Sequence, residues 1–176
     1  MLSTANIDPA LARNRAFAAA GGHEGAVVFP KLRLFVITCL DPRTDPAHFL
    51  GLELSDAMVV RNVGGRVTPE VINDIAFIGQ IAETMLPDGP LFEVAVIHHT
   101  QCGSGAFADD SFRHAYAQRI GAEESGLREH AVLDPVATVT SDVERLRSAP
   151  AIPDRVSVSG HVYDVTTGLM QTVQIP

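Results

Sequence analysis

The stretch KLRLFVITCLDPRTDP, residues 31–46, joins a nearly continuous apolar run to a polar turn. An apolar run without alternation predicts a β-strand that is buried on both faces of a sheet, here over residues 31–39. The run ends at Cys39, and Asp41 and Arg43 follow at once. The stretch therefore indicates a fold with a covered sheet and a concentration of chemistry at the end of one strand.

The rest of the chain alternates strand and helix patterns. Strands are predicted at 56–62 and 91–99, helices at 8–20, 68–86, 104–121 and 134–148, and a β-hairpin at 155–175. Asp8, Thr68 and Asp134 are placed to cap three of the helices, each with proline as the next residue. Strands that alternate with helices predict an α/β fold with a mostly parallel sheet, helices on both faces and an antiparallel hairpin at one edge.

Composition limits the classes of function. A chain of 176 residues fits a single domain over 1–176, and a net charge of −8 disfavours nucleic acid and anionic membranes as partners. No apolar run reaches the ~20 residues that span a bilayer, and the N-terminus lacks a secretory pattern, so we expect a cytoplasmic protein. Two cysteines are too few for a disulfide scaffold, although a single bridge remains open.

Polar side chains follow the ends of the predicted strands. The carboxyl ends of parallel strands meet at one edge of a sheet, so Cys39 and the HHTQCG segment should lie close together. Two thiolates and the imidazole of His99, three residues before Cys102, form a ligand set that suits Zn²⁺ and leaves a fourth position open. The alternative is that each cysteine is a small apolar core residue. Only His99 has the H-x-x-C spacing, so His98 is expected to be structural.

Asp41 and Arg43 allow two interpretations. If the chain stays extended after Cys39, the two side chains point the same way, and the arginine keeps the carboxylate ionised. Beside a metal, such a carboxylate can orient a bound water, or it can bind the metal and close the site. The alternative is a surface ion pair in a turn, worth ~0–1 kcal/mol.

Four stretches of the chain resemble, in order, the motifs of the β-class carbonic anhydrases. They are CLDPR at 39–43, RNVGGRVT at 61–68, HHTQCG at 98–103 and VSGHVYDVTTG at 158–168. The resemblance implies a zinc enzyme that reversibly hydrates carbon dioxide to bicarbonate and a proton by means of zinc-bound hydroxide. The implied site residues are Cys39, His99 and Cys102 as ligands of one Zn²⁺ per chain, Asp41 and Arg43 as the catalytic pair, and Val63, Gly64 and Gly103 beside the substrate.

The same resemblance implies a sheet of four parallel strands with an antiparallel edge extension, in a homodimer or a tetramer. An N-terminal helical arm, residues 1–25, would pack on the dimer partner. The sequence departs from the family pattern at Pro42, between the catalytic pair, and at Gln101, where an acid is common. It has no tryptophan, so the non-catalytic bicarbonate pocket of some members is not expected.

Two other functions remain open at this point. Relatives with the same zinc motif hydrolyse carbon disulfide or carbonyl sulfide, and the ligand set does not distinguish them from carbonic anhydrases. A non-catalytic zinc-bound dimer is the second alternative, which the presence of both Asp41 and Arg43 disfavours because zinc binding alone does not need them.

Overall fold

The computed structural model describes residues 6–175 and contains one sheet with strand order β2-β1-β3-β4-β5. The strands are β1 (Leu34–Cys39), β2 (Ala57–Asn62), β3 (Glu93–His99), β4 (Ser157–Tyr163) and β5 (Met170–Thr172). β1 to β4 pair in parallel, and β5 is antiparallel to β4. The predicted sheet of four parallel strands with an antiparallel edge extension is confirmed.

Helices surround this sheet. They are α1 (Asp8–Ala19), α2 (Pro46–Phe49), α3 (Pro69–Met85), α4 (Asp110–Ile120) and α5 (Pro135–Arg147). The larger core cluster joins the sheet to α3 and α5 through residues such as Ile75 and Val143, both fully buried. A smaller cluster on the other face contains Val36 and Ile97, with Phe49 of α2 packed against it. Both faces of the central strands are therefore covered, which is why their sequences do not alternate.

Helix caps follow the sequence prediction at two of three places. Thr68 Oγ1 accepts a hydrogen bond from the Val71 N–H at 3.4 Å, and Asp134 Oδ1 accepts from the first turn of α5. The prediction that Asp8 caps α1 is wrong, because Ile7 is the N-cap residue and makes no side-chain cap bond. Asp8 instead lies in the first turn, where a negative charge favours the helix dipole.

Two predicted element bounds are wrong. The strand predicted at 31–39 begins only at Leu34, because Arg33 adopts a positive φ of 48° that breaks the extended backbone. The helix predicted at 104–121 is divided into a 3-10 segment, Gly103–Ala108, and α4. Asp109 causes the division, since its backbone is extended and its Oδ1 accepts from the Phe112 N–H at 2.8 Å as a new N-cap.

Helix α1 differs from the other helices in its surroundings. None of its residues is buried, and its apolar side chains Leu11 and Phe17 are each more than two-fifths exposed.

Among residues 6–175, no helix combines the length and apolar character needed to cross a membrane.

Candidate metal centre

The two central strands end side by side, and each ends in a ligand-type side chain. Cys39 is the last residue of β1 and His99 is the last residue of β3, and these strands are parallel neighbours. Gln101 has a positive φ of 56°, which turns the chain back after β3 and returns Cys102 toward β1. The convergence predicted from the sequence is therefore present.

The spacing of the three ligand atoms suits a tetrahedral ion. The sulfurs and one ring nitrogen of Cys39, His99 and Cys102 all lie within 4.8 Å of one another. The two sulfurs are 3.8 Å apart. Two sulfurs bound at about 2.3 Å to a tetrahedral Zn²⁺ lie about 3.8 Å from each other. Both cysteines are free thiols, so the structure contains no Cys39–Cys102 disulfide.

The ring of His99 is already held in the tautomer that a metal ligand needs. Its Nδ1 lies 2.9 Å from the carbonyl oxygen of Thr100. A carbonyl can only accept, so Nδ1 carries the proton and Nε2 has a free lone pair. His99 is 1% exposed, and its Nε2 is one of two buried side-chain polar atoms among the described residues without a hydrogen-bond partner. Such an unpartnered buried nitrogen is suited to binding a metal ion.

The pKa values of the two thiols are shifted in opposite directions. Hydrogen bonding with the Cys39 thiol lowers the pKa of Cys102 to about 6, and burial acts in the opposite direction. The same contact, together with burial, raises the pKa of Cys39 to about 12. Cys102 is therefore the easier of the two thiols to ionise. A divalent cation at this place would favour the second thiolate.

Asp41 and Arg43 form a two-pronged ion pair beside the cysteines. Arg43 Nε donates to Asp41 Oδ1 at 3.0 Å, and Arg43 Nη2 donates to Oδ2 at 2.7 Å. Hydrogen bonding from Arg43 lowers the pKa of Asp41 to about 2. The chain is not extended here as expected, because Pro42–Thr44 is a 3-10 turn. The turn still pairs the side chains, and the Arg43 backbone N–H also donates to Oδ1.

Arg61 holds the backbone of this turn, a role that the sequence analysis did not find. Its Nε donates to the carbonyl of Cys39 at 3.0 Å, and its Nη2 donates to the carbonyl of Asp41 at 2.7 Å. Its Nη1 pairs with Asp45, the N-cap residue of α2. Arg61 lies near the end of β2, in register with Thr38 of the neighbouring strand β1. This position beside Cys39 could have indicated its role from the sequence.

Hydrogen bonds also link Arg43 to the segment that carries His99 and Cys102. Arg43 Nη2 donates to the carbonyl of Gln101 at 3.1 Å, and the Gln101 amide donates to Thr166 Oγ1 at 3.0 Å. Thr100 Oγ1 in turn bonds Asp164 at 3.2 Å. The closing hairpin therefore supports the turn that carries His99 and Cys102.

Gly64 and Gly65 follow β2, and Gly65 packs directly on the backbone of β1. A Cβ at Gly65 would lie 2.9 Å from the Cys39 nitrogen, so only glycine allows this approach. Gly64 is also buried, whereas Val63 is 46% exposed and lines an apolar cavity of about 270 Å³. Gly103 is exposed, with open space where a Cβ would be. Of the predicted substrate residues, Val63 and Gly103 are accessible and Gly64 is buried.

A buried ionic cluster lies beneath this loop, and the sequence analysis missed it. Asp142 of α5 is fully buried; it accepts a hydrogen bond from Arg66 Nε at 2.7 Å, and its Oδ2 lies 3.2 Å from His98 Nε2. His98 Nε2 also lies 3.2 Å from the Gly65 carbonyl. Burial raises the pKa of Asp142, but hydrogen bonds from His98 and Arg66 outweigh it and lower the pKa overall. His98 is structural, as the spacing predicted.

Comparisons with known proteins agree with this geometry. The family profile described as carbonic anhydrase matches residues 34–170. Beta-carbonic anhydrase 1 of Mycobacterium tuberculosis is 30% identical over 155 residues, which are 88% of this chain and 90% of that protein. Carbon disulfide hydrolase of Acidianus sp. is 29% identical over 158 residues, which are 77% of this chain and 74% of that protein.

A solved structure is similar over the full chain. The carbonic anhydrase of Streptococcus mutans superposes with a TM-score of 0.80 at 32% identity, over 99% of this chain and 100% of that one. The range matched by the family profile runs from the first residue of β1 to the first residue of β5, and it includes all three ligand residues and the Asp41–Arg43 pair.

Proposed function

This chain belongs to the β-carbonic anhydrase family, and on that premise we propose that it reversibly hydrates carbon dioxide to bicarbonate and a proton. One Zn²⁺ per chain would be held by Cys39, His99 and Cys102. The observation that carries the proposal is the buried His99, whose Nε2 has no partner and whose ring places a nitrogen within 4.8 Å of two thiol sulfurs.

The donor set fits zinc better than a hard cation. Two sulfurs and one imidazole nitrogen match the borderline-soft character of Zn²⁺, and three protein ligands leave one position for water or substrate. When bound, zinc supplies Lewis acidity that makes water a nucleophile at neutral pH. Two thiolates neutralise much of the ion's charge, so the surrounding hydrogen bonds have a larger part in orienting the reactants.

Asp41 is proposed to orient the attacking water. Its pKa of about 2 keeps the carboxylate ionised throughout the neutral range. Oδ1 accepts two bonds from Arg43, from its backbone N–H and its Nε, whereas Oδ2 accepts one, from Nη2. A carboxylate oxygen has room for a second bond, so Oδ2 can also accept from a water molecule. Arg43 holds the carboxylate in place through both oxygens, and the carbonyl of Gln101 fixes the arginine.

The accessible residues among the expected substrate contacts suit a small apolar substrate. Val63 presents an exposed apolar side chain at a cavity that is also lined by Phe107. Gly103 leaves open space immediately after the Cys102 ligand. We propose that these two residues border carbon dioxide, and that Gly64 contributes through its backbone because it is buried.

The test is the substitution Asp41→Asn in the zinc-loaded protein. The variant keeps the shape of the side chain and loses its charge, so zinc should remain stoichiometric while CO₂ hydration falls by about 100-fold. Stopped-flow indicator assays measure the activity, and metal analysis measures the zinc. Asp88→Asn, an exposed change at the opposite edge of the sheet, is the matched control. Full activity in Asp41→Asn contradicts the proposed mechanism.

Hydrolysis of carbon disulfide is the second candidate, because the hydrolase relative is 29% identical and the carbonic anhydrase relative 30%. The ligand set cannot separate the two reactions. A single preparation should be assayed with carbon dioxide, carbonyl sulfide and carbon disulfide. We expect carbon dioxide to be the preferred substrate. Strong turnover of a sulfur substrate with negligible CO₂ hydration would replace the first proposal.

We further propose a cytoplasmic homodimer in which the arm, residues 1–25, packs on the partner. The support is helix α1, whose exposed apolar side chains include Leu11 and Phe17, together with the exposed N-cap residue Ile7. Free thiols at the site also suit a reducing compartment. Sedimentation of the full chain and of a chain lacking residues 1–25 tests the assembly. We expect dimers or tetramers that dissociate without the arm, and a monomeric full chain contradicts the proposal.

A further inference from the structure

Ser104 lies directly against one of the proposed metal ligands. Its Oγ is 3.2 Å from the sulfur of Cys102, and the residue is 5% exposed. It sits at the start of the 3-10 segment that follows the HHTQCG motif. A buried hydroxyl at this distance from a ligand sulfur is a contact that the proposed reaction has not yet used.

The direction of this hydrogen bond can be assigned. The Val132 N–H donates to Ser104 Oγ at 3.3 Å, so the oxygen is an acceptor on that side. A serine hydroxyl has one proton to donate. Among the contacts of residues 6–175, the only acceptor near it is the Cys102 sulfur. A metal-bound thiolate has no proton, so the hydroxyl donates to the sulfur when Cys102 serves as a ligand.

Gly64 lies close to the Ser104 hydroxyl. A Cβ at Gly64 would lie 3.0 Å from Ser104 Oγ, and Gly64 has a φ of +81° that favours glycine. The hydroxyl is thus enclosed between a glycine, a backbone N–H and a sulfur.

The two proposed thiolate ligands have unequal surroundings. Apart from its contact with Cys102, the Cys39 sulfur accepts a hydrogen bond from a backbone group, the Asp41 N–H, at 3.5 Å. Cys102 receives the Ser104 hydroxyl at 3.2 Å. A donor to a metal-bound thiolate orients the sulfur and withdraws electron density from it, which makes the bound metal a stronger Lewis acid.

We propose that Ser104 is a positioning residue of the metal centre, which donates a hydrogen bond to the Cys102 thiolate and tunes the metal through that sulfur. This inference rests on the proposed metal site. Outer partners of metal ligands typically change metal affinity by about 10–100-fold when they are removed. The hydroxyl is therefore expected to affect both how tightly the metal binds and the electronic character of the sulfur.

Cobalt(II) is the probe, because its thiolate charge-transfer band reports the sulfur directly. In Ser104→Ala, we expect the dissociation constant for cobalt, measured by chelator competition, to rise by about 10-fold. The band should move to longer wavelength, since a thiolate without its donor loses electrons more easily. Ser148→Ala removes a hydroxyl that bonds only the Arg145 carbonyl among the described contacts, and it should match the parent.

A second pair of variants covers the case in which Ser104→Ala does not fold. Ser104→Thr and Ser104→Val have nearly the same shape and differ in the hydroxyl. The threonine variant should retain the parental band and affinity, and the valine variant should not. Equal values for this pair overturn the inference, as do equal values for Ser104→Ala and the parent.

The outcomes also separate this inference from the proposed function. A parent protein that shows the Ser104 effects but hydrates no carbon dioxide overturns the proposed function alone. A parent that hydrates carbon dioxide, with no effect in any Ser104 variant, overturns this inference alone. A parent that binds no cobalt overturns both.

Discussion

Gly65→Ala should damage both the fold and the metal site, because the glycine packs on backbone rather than on a side chain. A Cβ at this position would lie 2.9 Å from both the Cys39 nitrogen and the Thr38 carbonyl carbon. These atoms belong to β1, the strand between β2 and β3, and cannot move aside as a flexible side chain can. The φ of +66° adds strain for any residue with a Cβ.

The size of the effect follows from these two terms. A left-handed backbone costs about 1–2 kcal/mol for an L-residue, and overpacking a core adds about 1–3 kcal/mol. Reduced freedom of the unfolded chain returns about 0.4–1 kcal/mol. We therefore expect Gly65→Ala to lower the free energy of unfolding by about 2–4 kcal/mol. Gly89→Ala is the matched control, since its φ is +75° with nothing within 4 Å of the new Cβ.

Urea unfolding of the three proteins at equal concentration measures the difference, and metal analysis adds a second readout. The control should lose only the backbone term, about 1 kcal/mol, and should bind zinc normally. Gly65→Ala should lose more stability and also bind zinc less tightly, because relief of the contact displaces Cys39. A loss no larger than that of Gly89→Ala refutes the reasoning.

Two further predictions concern charge. Asp142→Asn should destabilise the chain by about 3–5 kcal/mol, because it leaves the buried guanidinium of Arg66 without its anion. Chemical unfolding checks this against the exposed change Asp74→Asn, and equal stabilities of the two variants contradict it. The pKa of Asp41 is lowered from 3.8 to about 2 by Arg43, so the contribution of this pair is complete above pH 3.8 and is lost only as the pH falls through about 2. The carboxyl carbon shift of Asp41, followed by NMR, should titrate with a midpoint well below 3.8, and a midpoint at or above that value argues against the pair.

The architecture and the proximity of Cys39, His99 and Cys102 were predictable for a simple physical reason. An unbroken apolar run such as LFVIT can be buried only in a covered parallel sheet, and the carboxyl ends of such strands share one edge. Cys39 and His99 each end a strand of this kind, so their proximity followed from the pattern. The prediction did not need the exact path of the intervening chain.

The supporting residues were harder to predict, because their partners are distant in sequence. Arg66 and Asp142 are 76 residues apart, and an acid on a helix usually faces solvent. A signal was nonetheless present, since Asp142 falls on the apolar face of α5 at helical spacing with Val139, Val143 and Leu146. A carboxylate on an apolar face indicates a buried partner.

Local breaks in the helices and strands were missed for a different reason. The helix predicted at 104–121 contains no proline to mark a break, and the competing cap at Asp109 divides it. The pairing of Asp41 with Arg43 was predicted, but from an extended chain rather than the 3-10 turn that Pro42 begins. In both cases a side chain that bonds the nearby backbone determined the local structure.

X-ray absorption at the zinc edge of the reconstituted full chain tests the central claim most directly. The account predicts two sulfur neighbours at about 2.3 Å and at least one nitrogen neighbour at about 2.0–2.1 Å from the metal. These distances correspond to Cys39, Cys102 and His99. A zinc ion with no sulfur or a single sulfur in its first shell contradicts the account.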